Sequence, residues 1–416
     1  MKPVGYSVAT LAALLSLGGC YKEKAGKPGK APPAEIASPA PTPSPTPTPS
    51  PTPSPTPTTP PFTGTPTAVG PDASGIRQLA SIPSNFDTSV HYEAIPPASS
   101  GAPDVVGAFR FLCRPSHLAY DDPIVFPGQK GRSHLHQFFG NTLADANSTY
   151  ESLRTTGDST CNNMLNRSAY WIPAMLNGFG KVVLPDAISV YYKRRPASDP
   201  LCRNGSTKGC IALPRGLRYV FGRTMDGKLP AGQFGIECIG GSGPHQKFAN
   251  IPEAARSCPV GAQLLISVSA PDCWDGVNLD VPDHRSHVSD QVLVNGQDAC
   301  PASHPYRIPK FTLTAIYTLD DTIDRSGDLS TSRATWHFSS DRQEGMTPQI
   351  AGTTFHADWF GAWDDDALKA WTANCIDRLL TCASGNLGDG RMLRINSISR
   401  ERTGSKLVDV PARPRV

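Results

Sequence analysis

After its first twenty residues, this chain of 416 contains no stretch approaching the roughly twenty consecutive apolar residues that a membrane-spanning helix needs, so no transmembrane helix is predicted. The body also lacks a block of positive charge. The formal net charge is +3, but residues 1–30 hold five lysines and one glutamate, which leaves the remainder near −1. A nearly neutral body carries no electrostatic footprint for nucleic acid, and nucleic acid is excluded as a partner. No Cys-x-x-Cys pair occurs, which argues against zinc knuckles. No Gly-x-Ser-x-Gly elbow occurs, which disfavours a serine nucleophile. There is no internal repeat.

What is present begins with an export signal. Lys2 supplies a positive start, Val8 to Leu17 are mostly apolar, and Leu17-Gly18-Gly19-Cys20 offers small residues before a cysteine, the pattern of a bacterial lipoprotein leader over residues 1–19. Cys20 is then the lipidated residue, anchoring the chain to the cell envelope. A Pro-Thr and Pro-Ser tract follows from about Pro32 to Pro66. Proline fixes φ and removes donors, so this tract is expected to sample polyproline II and form a semi-rigid spacer of roughly 100 Å. Residues 20–100 are therefore read as an anchored stalk, 101–400 as the folded domain and 401–416 as a tail.

Eleven cysteines less Cys20 leave ten, an even number in a compartment that permits disulfides. Cys202 and Cys210 enclose a turn-rich loop whose ends can meet. Cys375 and Cys382 pair only if a helix ends between them, because seven helical residues separate Cα atoms by roughly 10 Å. Cys273 and Cys300 each begin a histidine-containing motif, and joining them would pin those motifs together.

Runs rich in β-branched and aromatic residues over 105–112, 168–175, 187–192, 217–221, 263–268, 311–318 and 392–395 read as strands between Gly, Pro, Asn and Asp clusters. The expected fold is mainly β: an antiparallel β-sandwich or jelly-roll-like core with long loops and a C-terminal helix. That helix follows Asp364, Asp365 and Asp366, with Leu368, Trp371, Cys375 and Leu379 as its buried stripe.

Six of the ten histidines fall in four short motifs. In Ser133-His-Leu-His-Gln-Phe-Phe-Gly-Asn141, His134 and His136 share one face of an extended segment, as two ligands of one metal would. In the motif from Cys273 to His287, Asp275, Asp280 and Asp283 accompany His284 and His287, which a helical turn begun by Pro282 would align. His304, between Ser303 and Pro305, is the least specific. In His356-Ala-Asp-Trp-Phe-Gly-Ala-Trp-Asp364, His356 and Asp358 repeat the i, i+2 geometry. The candidate metal ligands are thus His134, His136, His284, His287 and His356, for one divalent ion. The candidate catalytic groups are Asp283, Asp358 and His136. Gln137, Asn141, Trp274, Asn278 and Trp359 are candidates for substrate contact, the aromatic faces as platforms for a sugar.

The succession of these motifs with Ser168-Ala-Tyr-Trp-Ile-Pro-Ala174 and Gly216-Leu-Arg218 resembles the domain of unknown function family DUF1996 over roughly residues 104–382. The resemblance implies a secreted or surface-attached protein and carries no established activity. Where the family pattern would continue Phe-Ile-Asn-Gly-Trp-Asp after His-Ala-Asp, this chain reads Trp359-Phe-Gly-Ala-Trp-Asp364, which removes an asparagine. Two classes of function stand. One is an extracytoplasmic enzyme acting on a polysaccharide or cell-wall polymer through a metal or through acid and base groups. The other is a noncatalytic surface module binding glycan or metal. Oligomeric state is not legible.

Overall fold

The strand from Lys310 to Thr318 alternates half-buried and buried residues along its whole length, turning Phe311, Leu313, Ala315 and Tyr317 inward. Ala187–Arg194 does the same with Ile188, Val190 and Tyr192. This period of two is what a sheet with one covered face requires. In the computed structural model, which describes residues 76–94, 101–228, 234–241, 246–395 and 406–414, these strands lie side by side in a seven-stranded sheet. Its order is Lys247–Phe248, Phe234–Ile239, Gln263–Ser269, Lys310–Thr318, Ala187–Arg194, Gly107–Cys113 and Thr381–Ala383, antiparallel except for the last pair.

A second, five-stranded sheet is antiparallel throughout, in the order Arg218–Gly222, His356–Phe360, Ala169–Pro173, His136–Gly140 and Pro115–Ala119. The two sheets meet through aromatic side chains. Phe311 lies 5.4 Å from Trp359 and 5.0 Å from Phe221 between ring centres, and the hydroxyls of Tyr170 and Tyr192 sit 3.0 Å apart. The architecture is mainly β, as expected, with a layered core rather than a barrel.

The five-stranded sheet differs from its partner because both its faces are covered. Ala169–Pro173, His136–Gly140 and His356–Phe360 are buried at every position. On the outer face Phe138, Trp171, Val220 and Phe360 pack with Ile124, Tyr150 and Leu153 from the segment between the first strands and the short helix Tyr150–Thr155. An all-buried strand cannot show alternation, so these strands are the ones whose periodicity says least.

All ten cysteines expected to pair do so, as Cys113–Cys161, Cys202–Cys210, Cys238–Cys258, Cys273–Cys300 and Cys375–Cys382. Cys375 and Cys382 reach a Cα separation of 5.8 Å because the helix Asp365–Trp371 gives way to a wider turn over Thr372–Ile376, and the chain reverses at Leu379, whose φ is +52°. Leu379 is consequently exposed, not the last member of a buried stripe. No helix among the described residues is long and apolar enough to cross a membrane. The leader, Cys20 and the Pro-Thr tract lie outside the described residues.

Both ends of the domain extend past the limits read from composition. Residues 76–94, assigned to the stalk, lie against the domain: Leu79 is buried and donates its N–H to the Arg215 carbonyl, and Tyr92–Ala94 pairs with Arg391–Leu393. In the expected tail, Lys406–Asp409 pairs with Lys181–Leu184. Arg154 holds the first of these segments. Its buried guanidinium donates to the carbonyls of Ile82 and Ala362, to Ser84 Oγ and to Asp364 Oδ2 at 3.2 Å. Removing Arg154 strands the Asp364 carboxylate, so Arg154→Ala is expected to lower the unfolding free energy by about 3–5 kcal/mol in a urea titration. The pair Arg154→Leu with Asp364→Asn should recover part of that loss. An equal loss in both proteins would show that packing, and not charge compensation, holds this corner.

Candidate functional site

His136 begins one strand of the five-stranded sheet and His356 another, and the strand Ala169–Pro173 runs between them. His136 pairs with Pro173, and His356 lies two residues beyond the pair Asp358–Trp171, so both imidazoles stand at the same end and on the outer face. Gly222 is the partner of His356 on the other side; its φ is +94°, and a Cβ there would meet the His356 Cα at 3.0 Å, so only glycine allows this approach. His134 enters from the loop before its strand. Leu135 turns the other way into a small apolar cluster with Ala174 and Val182, which throws His134 and His136 to one side.

The three rings converge. Ring centres are 4.1 Å apart for His134 and His136, 5.2 Å for His134 and His356 and 6.1 Å for His136 and His356. One nitrogen from each falls within 4.8 Å of the others. His136 Nδ1 donates to the Asp121 carbonyl at 3.0 Å, and His356 Nδ1 to the Thr354 carbonyl at 2.8 Å. A carbonyl can only accept, so the proton sits on Nδ1 and the Nε2 lone pair is left over. Nε2 of His134 and of His136 are buried without a hydrogen-bond partner. Asp358 stands beside them, its Oδ2 3.9 Å from His356 Nε2, and neither of its buried oxygens has a hydrogen-bond partner.

Burial sets the charge states. Desolvation pushes His136 down to about 3 and His356 to about 4, and holds His134 well below the ordinary imidazole range, with the neighbouring imidazoles adding to the effect at His134 and His136. All three are neutral near pH 7. Burial moves the carboxyls the other way. Asp122 is pushed up to about 6 despite backbone N–H bonds from Val125 and Ile124, and Asp358 rises well above the carboxylate range through burial and the nearness of Asp122, with Arg285 opposing.

The cluster opens into a cleft of about 480 Å³ whose walls include Asp122, His134, Arg223, Arg285, His356 and Asp358. Val125, Pro282 and His284 also line a second chamber of about 480 Å³ bordered by Asn147, Ser148 and Arg218, so the two chambers adjoin. From the far side, Arg413 Nη2 donates to the Ser133 carbonyl at 2.8 Å and its guanidinium lies over Tyr120. This strap fixes the residue before His134.

The other sequence candidates separate. His284 and Asp283 reach the cleft wall, but His284 Nδ1 is bonded to Asp280 at 2.8 Å, in a backbone with φ +56°. Asp283 Oδ1 accepts from Arg285 N, Ser286 N and Ser286 Oγ; burial raises its carboxyl, but these bonds outweigh that and hold it low, a poor setting for a general base. No helical turn aligns His284 with His287. His287 Nε2 instead donates to the Arg218 carbonyl on the Tyr219 side of its strand, away from the cleft on the Val220 side. Trp359 packs in the core against Tyr219 and Phe311, and buried Trp274 bonds the Asn278 carbonyl, so neither offers a face to a sugar. Asn278 is exposed in the turn made by Asp275. Gln137 donates to the His117 and Phe138 carbonyls from the opposite face, and Asn141 closes the helix Tyr150–Thr155 by donating to the Leu153 and Thr156 carbonyls. His304 bonds the Ser286 carbonyl outside the cleft. Sequence reasoning passed over Asp122, Arg223 and Arg285; only Arg285 lay inside a motif already singled out.

The depressed imidazoles carry a sign. Below pH 6.5 the unfolded chain takes up protons that folded His356 refuses until about pH 4, so this contribution to stability is present above 6.5 and is lost as pH falls. Chelator-treated protein should therefore lose on the order of 3 kcal/mol more between pH 6.5 and 4 than the His356→Asn variant. Identical pH slopes in urea titrations would show that the imidazole is not held neutral.

Comparison with curated proteins and with solved structures found no match. The domain of unknown function DUF1996 matches residues 122–363, more than half of the chain, and spans every residue of the histidine cluster and Asp358. The chain belongs to the DUF1996 family.

Proposed function

We propose that this protein is an extracytoplasmic metal-dependent enzyme acting on a polysaccharide or cell-wall polymer, with His134, His136, His356 and Asp358 holding one divalent ion. The observation that carries the reading is the convergence of three neutral imidazoles, with the Nδ1 atoms of His136 and His356 tied to backbone carbonyls and the buried Nε2 atoms of His134 and His136 without a hydrogen-bond partner. Metal-binding histidines are oriented by such outer bonds. Ligand atoms of a tetrahedral zinc site stand about 3.4 Å apart, so the rings need to draw together by about 1 Å, which side-chain rotation supplies. Three imidazoles leave one position on a tetrahedral ion; with Asp358 in it, water or substrate enters by expansion to five ligands, as at catalytic sites. A divalent ion also supplies the charge that lets Asp358 ionise in its buried position.

The adjoining chamber gives an extended substrate room beyond the imidazoles, and its mixture of Asn147, Ser148 and Asp280 with Val125, Pro127 and Pro282 suits the hydroxyls and apolar faces of a sugar chain. Recognition by aromatic stacking is not part of this reading, since Trp274 and Trp359 are in the core. A binding-only role is the second reading, favoured by the solvent-shielded Nε2 atoms of His134 and His136. The leader pattern and the ten paired cysteines support export, with Cys20 as the lipid anchor and the Pro-Thr tract as the spacer.

Metal analysis of the purified chain tests the centre. About one equivalent of a divalent ion is expected, lost in His136→Ala and His356→Ala and held at least 10-fold more weakly in Asp358→Asn. Metal-free wild-type protein would sink the proposal. Metal-dependent depolymerisation across a glycan panel separates the enzyme from the binding module, which would keep its metal and show no turnover.

A further inference from the structure

We infer that the groove takes an acidic polysaccharide, with Arg223 and Arg285 receiving its anionic groups beside the imidazole centre; this rests on the metal-dependent reading above. Both arginines line the chamber that contains His134, His356 and Asp358. Neither has a carboxylate at ion-pair distance among the described residues. Arg154, Arg194, Arg215 and Arg218, also wholly or partly buried, are each paired with an aspartate; Arg167 and Arg307 are buried without one, but neither lines this cleft. A partly buried guanidinium without a counter-ion is costly to keep, and burial works against the charge of both residues.

What holds them is backbone and ring. Arg285 Nη1 donates to the Gly222 carbonyl at 3.1 Å and Nη2 to the Arg223 carbonyl at 3.4 Å. Arg223 Nη1 donates to the Gly227 carbonyl at 2.8 Å, and its guanidinium lies 4.4 Å from the centre of the Phe234 ring. These bonds fix position without neutralising charge, the condition for a preorganised anion receptor. The planar fork suits carboxylate, sulfate and phosphate oxygens alike.

Charge balance points the same way. A divalent ion at the imidazoles adds positive charge to a cleft whose wall already carries Arg223 and Arg285. A neutral substrate would leave this surplus buried beneath it. An acidic substituent on a sugar chain completes it.

Dextran and carboxymethyl-dextran share one backbone, and dextran sulfate extends the comparison to a second anion. Each is titrated against the full chain, with metal content measured on the same samples. The expected result is binding of both acidic polymers at least 10-fold tighter than dextran, weakened by salt. Arg223→Gln and Arg285→Gln should each lose 10-fold or more of that affinity and keep their metal. Arg223→Lys, which retains charge without the fork, should fall between. Metal-loaded wild type that binds dextran as well as the acidic polymers, or binds none of them, overturns this inference and leaves the metal centre standing. Arginine variants that bind acidic polymer like wild type overturn it as well. Wild type without metal removes both.

Discussion

A buried neutral imidazole donates through one ring nitrogen and keeps a lone pair on the other, which needs a donor or a cation or goes unpartnered. At the end of the five-stranded sheet that condition is imposed on neighbouring rings at once. The Asp121 and Thr354 carbonyls take the Nδ1 protons of His136 and His356, and the strands beneath bring the remaining nitrogens together. Much else in the domain serves this arrangement. The outer face must be roofed by the segment from Asp121 to Leu153 to exclude water, Gly222 must lack a side chain, and Leu135 must find its own apolar cluster so that His134 can turn inward. Asp358 lies under the same roof and shares the penalty: in the interior it is the carboxyl, and not the imidazole, that retains a proton.

The strands of the seven-stranded sheet were legible because one face is covered and their residues alternate; the runs at 187–192, 263–268 and 311–318 fall on observed strands. The two strands that carry His136 and His356 were legible only as motifs, since burial on both faces erases the period. Clustering within short motifs did indicate where to look, because i, i+2 pairs on an extended chain must share a face. It could not separate His284 from His287. That depends on a left-handed residue in a loop without a helix, which sends one ring to the groove and the other behind the sheet. Trp274, Trp359, Gln137 and Asn141 looked like binding residues by type, yet their polar atoms and rings are absorbed by the core and by one helix end. Asp122 and Arg223 gave no local signal at all, since their importance arises from His356 and Asp358, more than a hundred positions away, and from other residues of the cleft.

The groove thus joins two unlike surfaces. One is a dry floor of imidazole and carboxyl that waits for positive charge; the other is a guanidinium wall whose positive charge is already in place. Their proximity makes each more demanding of its ligand than it would be alone. A cation at the floor sharpens the preference of the wall, and an anion at the wall eases retention of the cation. The coupling is electrostatic and reciprocal, and it requires no movement of the sheet.

Arg413 reaches back across 280 residues to hold the carbonyl that precedes His134. The loop it secures is synthesised well before its clasp. A chain emerging in order from its N-terminus can lay down the first sheet strands and several disulfides while the His134 loop still lacks its final constraint. The His134 loop therefore takes its final constraint only after the 280 residues that separate it from its clasp have been made.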